Sequence, residues 1–250
     1  MRAWFTPPAA RKTTPADLDG VETLNVELAH GAITVDAIGD GPIVFLLHGW
    51  GADPRRLLPL ARALAECGHR SIVPHLPGRA GSARTDVLEV VDVLRQLAEH
   101  QGTPVAVVAH SFGAMVARLA FGANEVDKAV YLAPLVKVSD ALDRFAEMLG
   151  LMPWVRAGIH TRLRAWNPSL WPVVNAVRPD QLTGAEMLIL HDPDDTDTSY
   201  DRSAMLAALR SRTRIEAVSG VGHHRILSDP SAIESVVQFV TARRVESLAV

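Results

Sequence analysis

Cysteine is almost missing from this chain. Of 250 residues only Cys67 is one, so no internal disulfide can form and nothing in the fold depends on an oxidising compartment. Cys67 continues the apolar face that runs from Leu57 to Leu64, which predicts a thiol packed in the core rather than a reactive one. Cysteine and histidine nowhere adopt the spacing of a zinc site, so no metal is expected. Charge of one sign is also lacking. Twenty-five Lys and Arg stand against 28 Asp and Glu, for a net charge of −3, and no run of like charge forms a basic stripe, an acidic tail or a membrane patch. Nucleic acid is therefore not an expected partner. Long apolar runs are missing too. No stretch is long enough to span a bilayer, and residues 1–19 carry charge and proline where a signal peptide needs an unbroken apolar core, so a cytoplasmic location is expected.

What is present is a regular alternation of strand and helix patterns. Leu24, Val26 and Leu28, then Ile33, Val35 and Ile38, alternate around His30-Gly31 and predict an antiparallel hairpin at a sheet edge. From Ile43 to Leu47 the run is continuously apolar, as for a strand covered on both faces. Helical spacing over Leu57–Leu64, closed by Gly68, leads to a strand at Ser71–Val73 and the turn Leu76-Pro77-Gly78-Arg79. A second helix is expected over Val87–Leu97, a strand over Val105–Ala109, a helix with its stripe at Phe112, Met115, Val116 and Leu119, and a strand over Ala129–Ala133. Residues 135–184 break this rhythm. They contain no convincing strand, and a structureless loop that long is improbable inside one domain, so a helical insertion is expected there. Met187–Leu190 and Ile215–Val218 resume the sheet, and Ile233–Val240 ends it with a helix. The pattern predicts one α/β domain over residues 1–250 with a mainly parallel sheet, and shows no internal repeat.

The most telling residues follow the strand at Val105–Val108. They read Ala109-His110-Ser111-Phe112-Gly113, a serine on the turn between a strand and a helix. Such a turn pushes a hydroxyl out beside backbone amides, the mechanics of a nucleophile elbow. Upstream lies His48-Gly49-Trp50-Gly51 after one strand, and further along come the acidic turn His191-Asp192-Pro193-Asp194-Asp195 after another and Gly220-Val221-Gly222-His223 near the end. Serine, aspartate and histidine come in the order found in α/β-hydrolases.

With these pieces in place the chain resembles an α/β-hydrolase fold protein of the serine hydrolase type, from about Val21 to Ala242. The resemblance implies a mainly parallel α/β-hydrolase sheet flanked by helices, with residues 135–184 as a helical cap. It also implies a Ser-His-Asp triad with Ser111 as nucleophile and His223 as base, His224 being the rival for that base. Asp195 is the expected acid and Asp194 the second choice. The backbone amides of Trp50 and Phe112 are the expected oxyanion hole. Departures from the family pattern are Ala109 and Asp192, both where glycine is usual, and Arg79, where histidine is common. The acidic loop fails as a calcium loop, since Asp197 falls where glycine is required and Ser203 where a bidentate glutamate belongs. Trp154, Trp166 and Trp171 are candidates for an apolar pocket or for packing within the cap. The expected activity is hydrolysis of a small, apolar carboxylic ester through an acyl-enzyme, without cofactor. Acyl transfer, amide, thioester or carbon-carbon bond hydrolysis, and ligand binding without turnover remain open alternatives, as does the oligomeric state.

Overall fold

Residues 18–29, 31–78, 85–122, 125–177 and 184–242 are described by a computed structural model. Among them eight strands form one sheet: β1 (Glu22–Leu28), β2 (Gly31–Ile38), β3 (Ile43–Leu47), β4 (Arg70–Pro74), β5 (Ala106–His110), β6 (Lys128–Leu132), β7 (Glu186–His191) and β8 (Thr213–Ala217). Their spatial order is β1-β2-β4-β3-β5-β6-β7-β8. The first two are the expected edge hairpin, and β2 meets β4 antiparallel; every other pairing is parallel. The turn residue His30 and the stretch around Arg79 lie outside the described residues.

Alternation of side chains divides the core in two. Phe45, Leu47, Val107, Ala109, Ala129, Tyr131, Met187 and Ile189 face one side of the sheet, where α2 (Val87–Gln101) and α3 (Phe112–Ala120) cover them. Val44, Leu46, Val108, Val130, Leu188 and Leu190 face the other. There α1 (Leu58–Glu66) and the last helix, Pro230–Thr241, close the layer. This sandwich is why the central strands read as unbroken apolar runs: neither face meets water.

Between β6 and β7 the chain makes three helices, α4 (Val138–Met148), α5 (Pro153–Trp166) and α6 (Leu170–Asn175), and no strand among the described residues. Arg118, buried in α3, donates hydrogen bonds to the carbonyls of Val136 and Ala176 and so ties both ends of this segment to the helix behind Ser111. After β7 come α7 (Tyr200–Ala208), α8 (Gly222–Arg225) and α9 (Pro230–Thr241). Sequence periodicity found α9 but not α7 or α8, which are short and mostly half-exposed.

Two expectations need correction. Cys67 is exposed. It is the residue at which α1 ends, and with Gly68 following at φ +79° the chain turns away before the helical face can carry the thiol inward. Trp154 and Trp166 neither pack in the segment's core nor line a closed pocket: they are 74% and 61% exposed, and α5 buries no residue.

Candidate active site

β5 ends at His110 and α3 starts at Phe112, so one residue must reverse the chain. Ser111 does so at φ 51°, ψ −116°, a backbone strain that a non-glycine residue keeps only where its surroundings enforce it. Three hydrogen bonds enforce it here. The Ser111 N–H donates to the Leu132 carbonyl at 3.0 Å, and the Ser111 carbonyl accepts from Ala114 at 3.1 Å and Leu135 at 3.0 Å. Gly113 is dictated by close approach, because a Cβ there would sit 2.6 Å from the Leu47 carbonyl oxygen and 2.8 Å from that of His48. Ala109 needs no glycine freedom, as it lies within β5, paired with Leu47 and Tyr131 and buried.

The His48-Gly49-Trp50 turn abuts this elbow. A Cβ on Gly49 would lie 3.1 Å from His110 Nδ1 and 3.2 Å from Ser111 Cβ, so the lack of a side chain lets the Gly49-Trp50 peptide come up to the serine. The Trp50 ring covers Gly78, where an added Cβ would be 2.2 Å from Cζ3, and meets the Phe112 ring edge-on at 5.2 Å. That contact explains the glycine of the Leu76-Pro77-Gly78 turn. Phe112, first in its helix, has an N–H with no partner within that helix.

Ser111 Oγ lies 3.0 Å from His223 Nε2, and His223 Nδ1 lies 2.8 Å from Asp195 Oδ2. The fold thus brings the three side chains into one hydrogen-bonded line from three separate loops. With Nδ1–H donating to the carboxylate, Nε2 is left to accept the serine proton. His224, next along, is exposed and turns towards Asp197, 3.6 Å away. Asp194 is exposed as well, and its N–H donates to Asp192. Of the rival assignments, only His223 and Asp195 reach the line that ends at Ser111.

Asp195 is buried and richly hydrogen-bonded. Oδ1 accepts from the Asp197 N–H at 2.6 Å and the Thr198 N–H at 3.0 Å; Oδ2 accepts from Thr198 Oγ1 and His191 Nε2, both at 3.1 Å, besides His223. Burial alone would raise its pKa, but hydrogen bonds from His191 and His223, with the charge of His223 and the Thr198 N–H, outweigh this and hold the carboxyl well below the usual carboxylate range. Among the described residues none of the donors to this carboxylate is an arginine or lysine.

Of the supporting residues, Ser203 and Thr198 carried no signal in the linear sequence, while His110 belongs to the elbow itself. The Asp195 carboxylate, which can only accept, requires Nε2–H on His191, and the Ser203 hydroxyl, 2.7 Å from His191 Nδ1, donates to the nitrogen left bare. Thr198 Oγ1 also reaches the Ala133 carbonyl at 3.2 Å. His110 donates through Nε2 to the His223 carbonyl at 2.9 Å, and their rings lie 4.7 Å apart. Burial, then the charge of His223, keeps His110 well below its ordinary pKa and hence neutral. Asp192 carried a signal only as an oddity, an acid in place of glycine. Its Oδ2 accepts the Gly222 N–H at 2.6 Å and its Oδ1 that of Asp194 at 3.0 Å, clasping the acid loop to the histidine loop. The Gly222 hydrogen bond is the main cause of its lowered pKa.

His110, His223 and His224 bring one nitrogen each within 4.8 Å of the others. Both nitrogens of His223 and Nε2 of His110 are already committed to the hydrogen bonds above, so a metal ion would have to dismantle the line to bind. Two surface hollows, one beside Asp140, Arg144 and Thr198 and one between β8 and α9, are lined by neither Ser111 nor His223. Among the described residues no helix is long and apolar enough to cross a membrane.

Residues 43–236 match the model of a family described as the alpha/beta hydrolase family. Among curated proteins, the magnesium-chelatase 30 kDa subunit of Rhodobacter capsulatus is 31% identical over 127 residues, which span 48% of this chain and 42% of that protein's length. Among solved structures, an esterase of Pyrococcus furiosus superposes with a TM-score of 0.73 at 15% identity, covering 94% of this chain and 96% of the other. An esterase of Exiguobacterium antarcticum gives 0.66 at 18% identity, over 88% and 100%. A proline iminopeptidase-related protein of Thermus thermophilus gives 0.66 at 21% identity, over 88% and 96%. At these identities the likeness is one of fold.

Proposed function

This chain belongs to the alpha/beta hydrolase family, and from that membership we propose that it is a serine hydrolase acting on a carboxylic ester, with Ser111, His223 and Asp195 as its triad. The observation that carries the reading is the unbroken line from Ser111 Oγ to His223 Nε2 at 3.0 Å and from His223 Nδ1 to Asp195 Oδ2 at 2.8 Å, starting at a strained serine. A serine hydroxyl is a weak nucleophile until a base takes its proton. His223 Nε2 takes that proton as Oγ attacks the ester carbonyl, and the resulting imidazolium faces the ionised Asp195. The amides of Phe112 and Trp50 stabilise the oxyanion; one such donor contributes about 3 to 4 kcal/mol in other enzymes. His223 then gives its proton to the leaving alcohol, which leaves Ser111 acylated. The same imidazole takes a proton from the water that attacks the acyl carbonyl and returns it to Ser111 Oγ as the acyl–oxygen bond breaks, which frees the serine and the acid. The α4–α6 segment, which follows β6 and is joined to the acid loop by Arg144 Nη2 donating to the Asp195 carbonyl at 3.0 Å, acts as the cap over this centre. The esterases among the solved structures of this fold favour an ester over the other acyl groups.

The test is covalent. Wild type, Ser111→Ala and His223→Ala are incubated with a fluorophosphonate and weighed intact. One adduct on the wild type, none on Ser111→Ala and slow labelling of His223→Ala are expected. An unlabelled wild type that still binds small esters and gains thermal stability from them would overturn hydrolysis in favour of binding without turnover.

A further inference from the structure

Exposed apolar surface is concentrated in one place. Among the described residues eight large apolar side chains are exposed, and six of them lie between Phe145 and Trp166, at the end of α4 and along α5. Met148 and Trp154 are each 74% exposed, Met152 59% and Leu149 54%. They gather at the corner where α4 passes into α5. Scattered exposed residues need no explanation, but a contiguous group of this kind marks a surface that something covers.

α5 shows what kind of surface. It buries no residue, and polar contacts link it to α4: Arg156 pairs with Glu147 at 2.7 Å and Asp143 at 3.7 Å, and His160 pairs with Asp143 at 2.8 Å. Those contacts use up the acids that α4 turns towards it. α5 itself contains no acidic residue. On its outer face Trp154, Gly158, Thr161 and Ala165 follow one another at steps of four, three and four, all exposed, so they form a single line along the helix. Arg162 and Arg164, also exposed, project to either side of that line. A line of small side chains that ends in a tryptophan and is flanked by arginines is suited to lie against a lipid headgroup layer, with the indole at the interface and the guanidinium groups on phosphates. The chain as a whole is negative, at −3, yet the exposed charges of α5 are positive. Helical rotation assembles the patch from dispersed residues, which is why no run of like charge marks it in the sequence.

We propose that the α4–α5 corner is a peripheral docking surface for an anionic lipid bilayer, with Met148, Leu149, Met152 and Trp154 entering the headgroup region and Arg162 and Arg164 pairing with lipid phosphates. This surface does not rest on the esterase reading and is tested without turnover.

The full chain is sedimented with sucrose-loaded vesicles of phosphatidylcholine alone or with about 30 mol% phosphatidylglycerol, at low and high salt. The wild type is expected to pellet with the anionic vesicles and to be released in part by salt. Arg162→Gln with Arg164→Gln should weaken binding to anionic vesicles about thirtyfold while leaving any binding to phosphatidylcholine unchanged. Leu149→Ser with Trp154→Ser should abolish pelleting with both. All variants are checked for an unchanged melting temperature and circular dichroism spectrum, which separates loss of docking from loss of the fold. Wild type that stays in the supernatant with anionic vesicles overturns the proposal. So does a wild type that dimerises in sedimentation velocity while Trp154→Ser stays monomeric, since a second copy would then cover the patch.

Discussion

Two buried aspartates in this chain each hold a histidine nitrogen at 2.8 Å: Asp195 with His223, and Asp36 on β2 with His75 just after β4. Both carboxylates are shut off from water, and both are held well below the usual carboxylate range, because hydrogen bonds overcome a burial that alone would raise them. The difference is in the remaining partners. Asp36 also accepts from Arg55 Nε at 3.0 Å and Thr23 Oγ1 at 2.6 Å, so a permanent cation already compensates its charge. The partners of Asp195 are amides, a hydroxyl and imidazoles, and its charge is left for the proton His223 would acquire. Beyond His223 stands a serine on a strained turn. An Asp–His contact is therefore no signature of catalysis; what the carboxylate still lacks, and what the far side of the imidazole touches, set the chemistry apart.

The contrast breaks most sharply by substituting the two histidines. His223→Gln is expected to lower turnover of an activated ester by about 10⁴-fold or more, whereas His75→Gln should leave it within about threefold and only lower the melting temperature. Equal losses from the two would erase the distinction.

Next comes stability. In Asp36→Asn, Arg55 faces a neutral amide, and unfolding by urea near pH 6.5 should show a loss of about 2 to 3 kcal/mol. The sign with pH follows from the lowered pKa. The unfolded chain takes up a proton near 3.8 while the folded one resists it, so the contribution is complete above that value and disappears on acidification through the folded pKa. The gap between wild type and Asp36→Asn should therefore narrow steadily below about pH 4.

The smallest effect sharpens how the Asp195 region is held together. Asp192→Gly restores the residue common in the family but removes the acceptor of the Gly222 N–H, so kcat should fall about tenfold with KM little changed, equivalent to about 1.4 kcal/mol. Asp192→Asn keeps an acceptor oxygen and should recover most of that loss. A variant Asp192→Gly as fast as wild type would mean the two loops hold their register without the clasp.

Much of the fold could be read in advance because burial on both faces leaves a plain mark. Ile43–Leu47 and Val105–Ala109 could hardly be anything but central strands, and the structure pairs Leu47 with Ala109 there. Ser111, Asp195 and His223 stood out through the family resemblance of their turns, and the structure brings them into one hydrogen-bonded line. Cys67 was misjudged because periodicity says which face a residue would occupy if the helix continued, not where the helix stops. The tryptophans of α5 were misjudged because composition says nothing of what lies opposite a helix. Ser203, twelve residues from His191, has no local pattern that could reveal it.

What the sequence determined alone is the order of the strands, the two-faced core and the identity of the groups on the turns, since each follows from local periodicity and local backbone demands. Which aspartate reaches which histidine, and whether an arginine reaches it first, was decided only by tertiary structure. Those distances depend on where strands distant in sequence come to lie side by side, and hydrogen bonds act over about 3 Å.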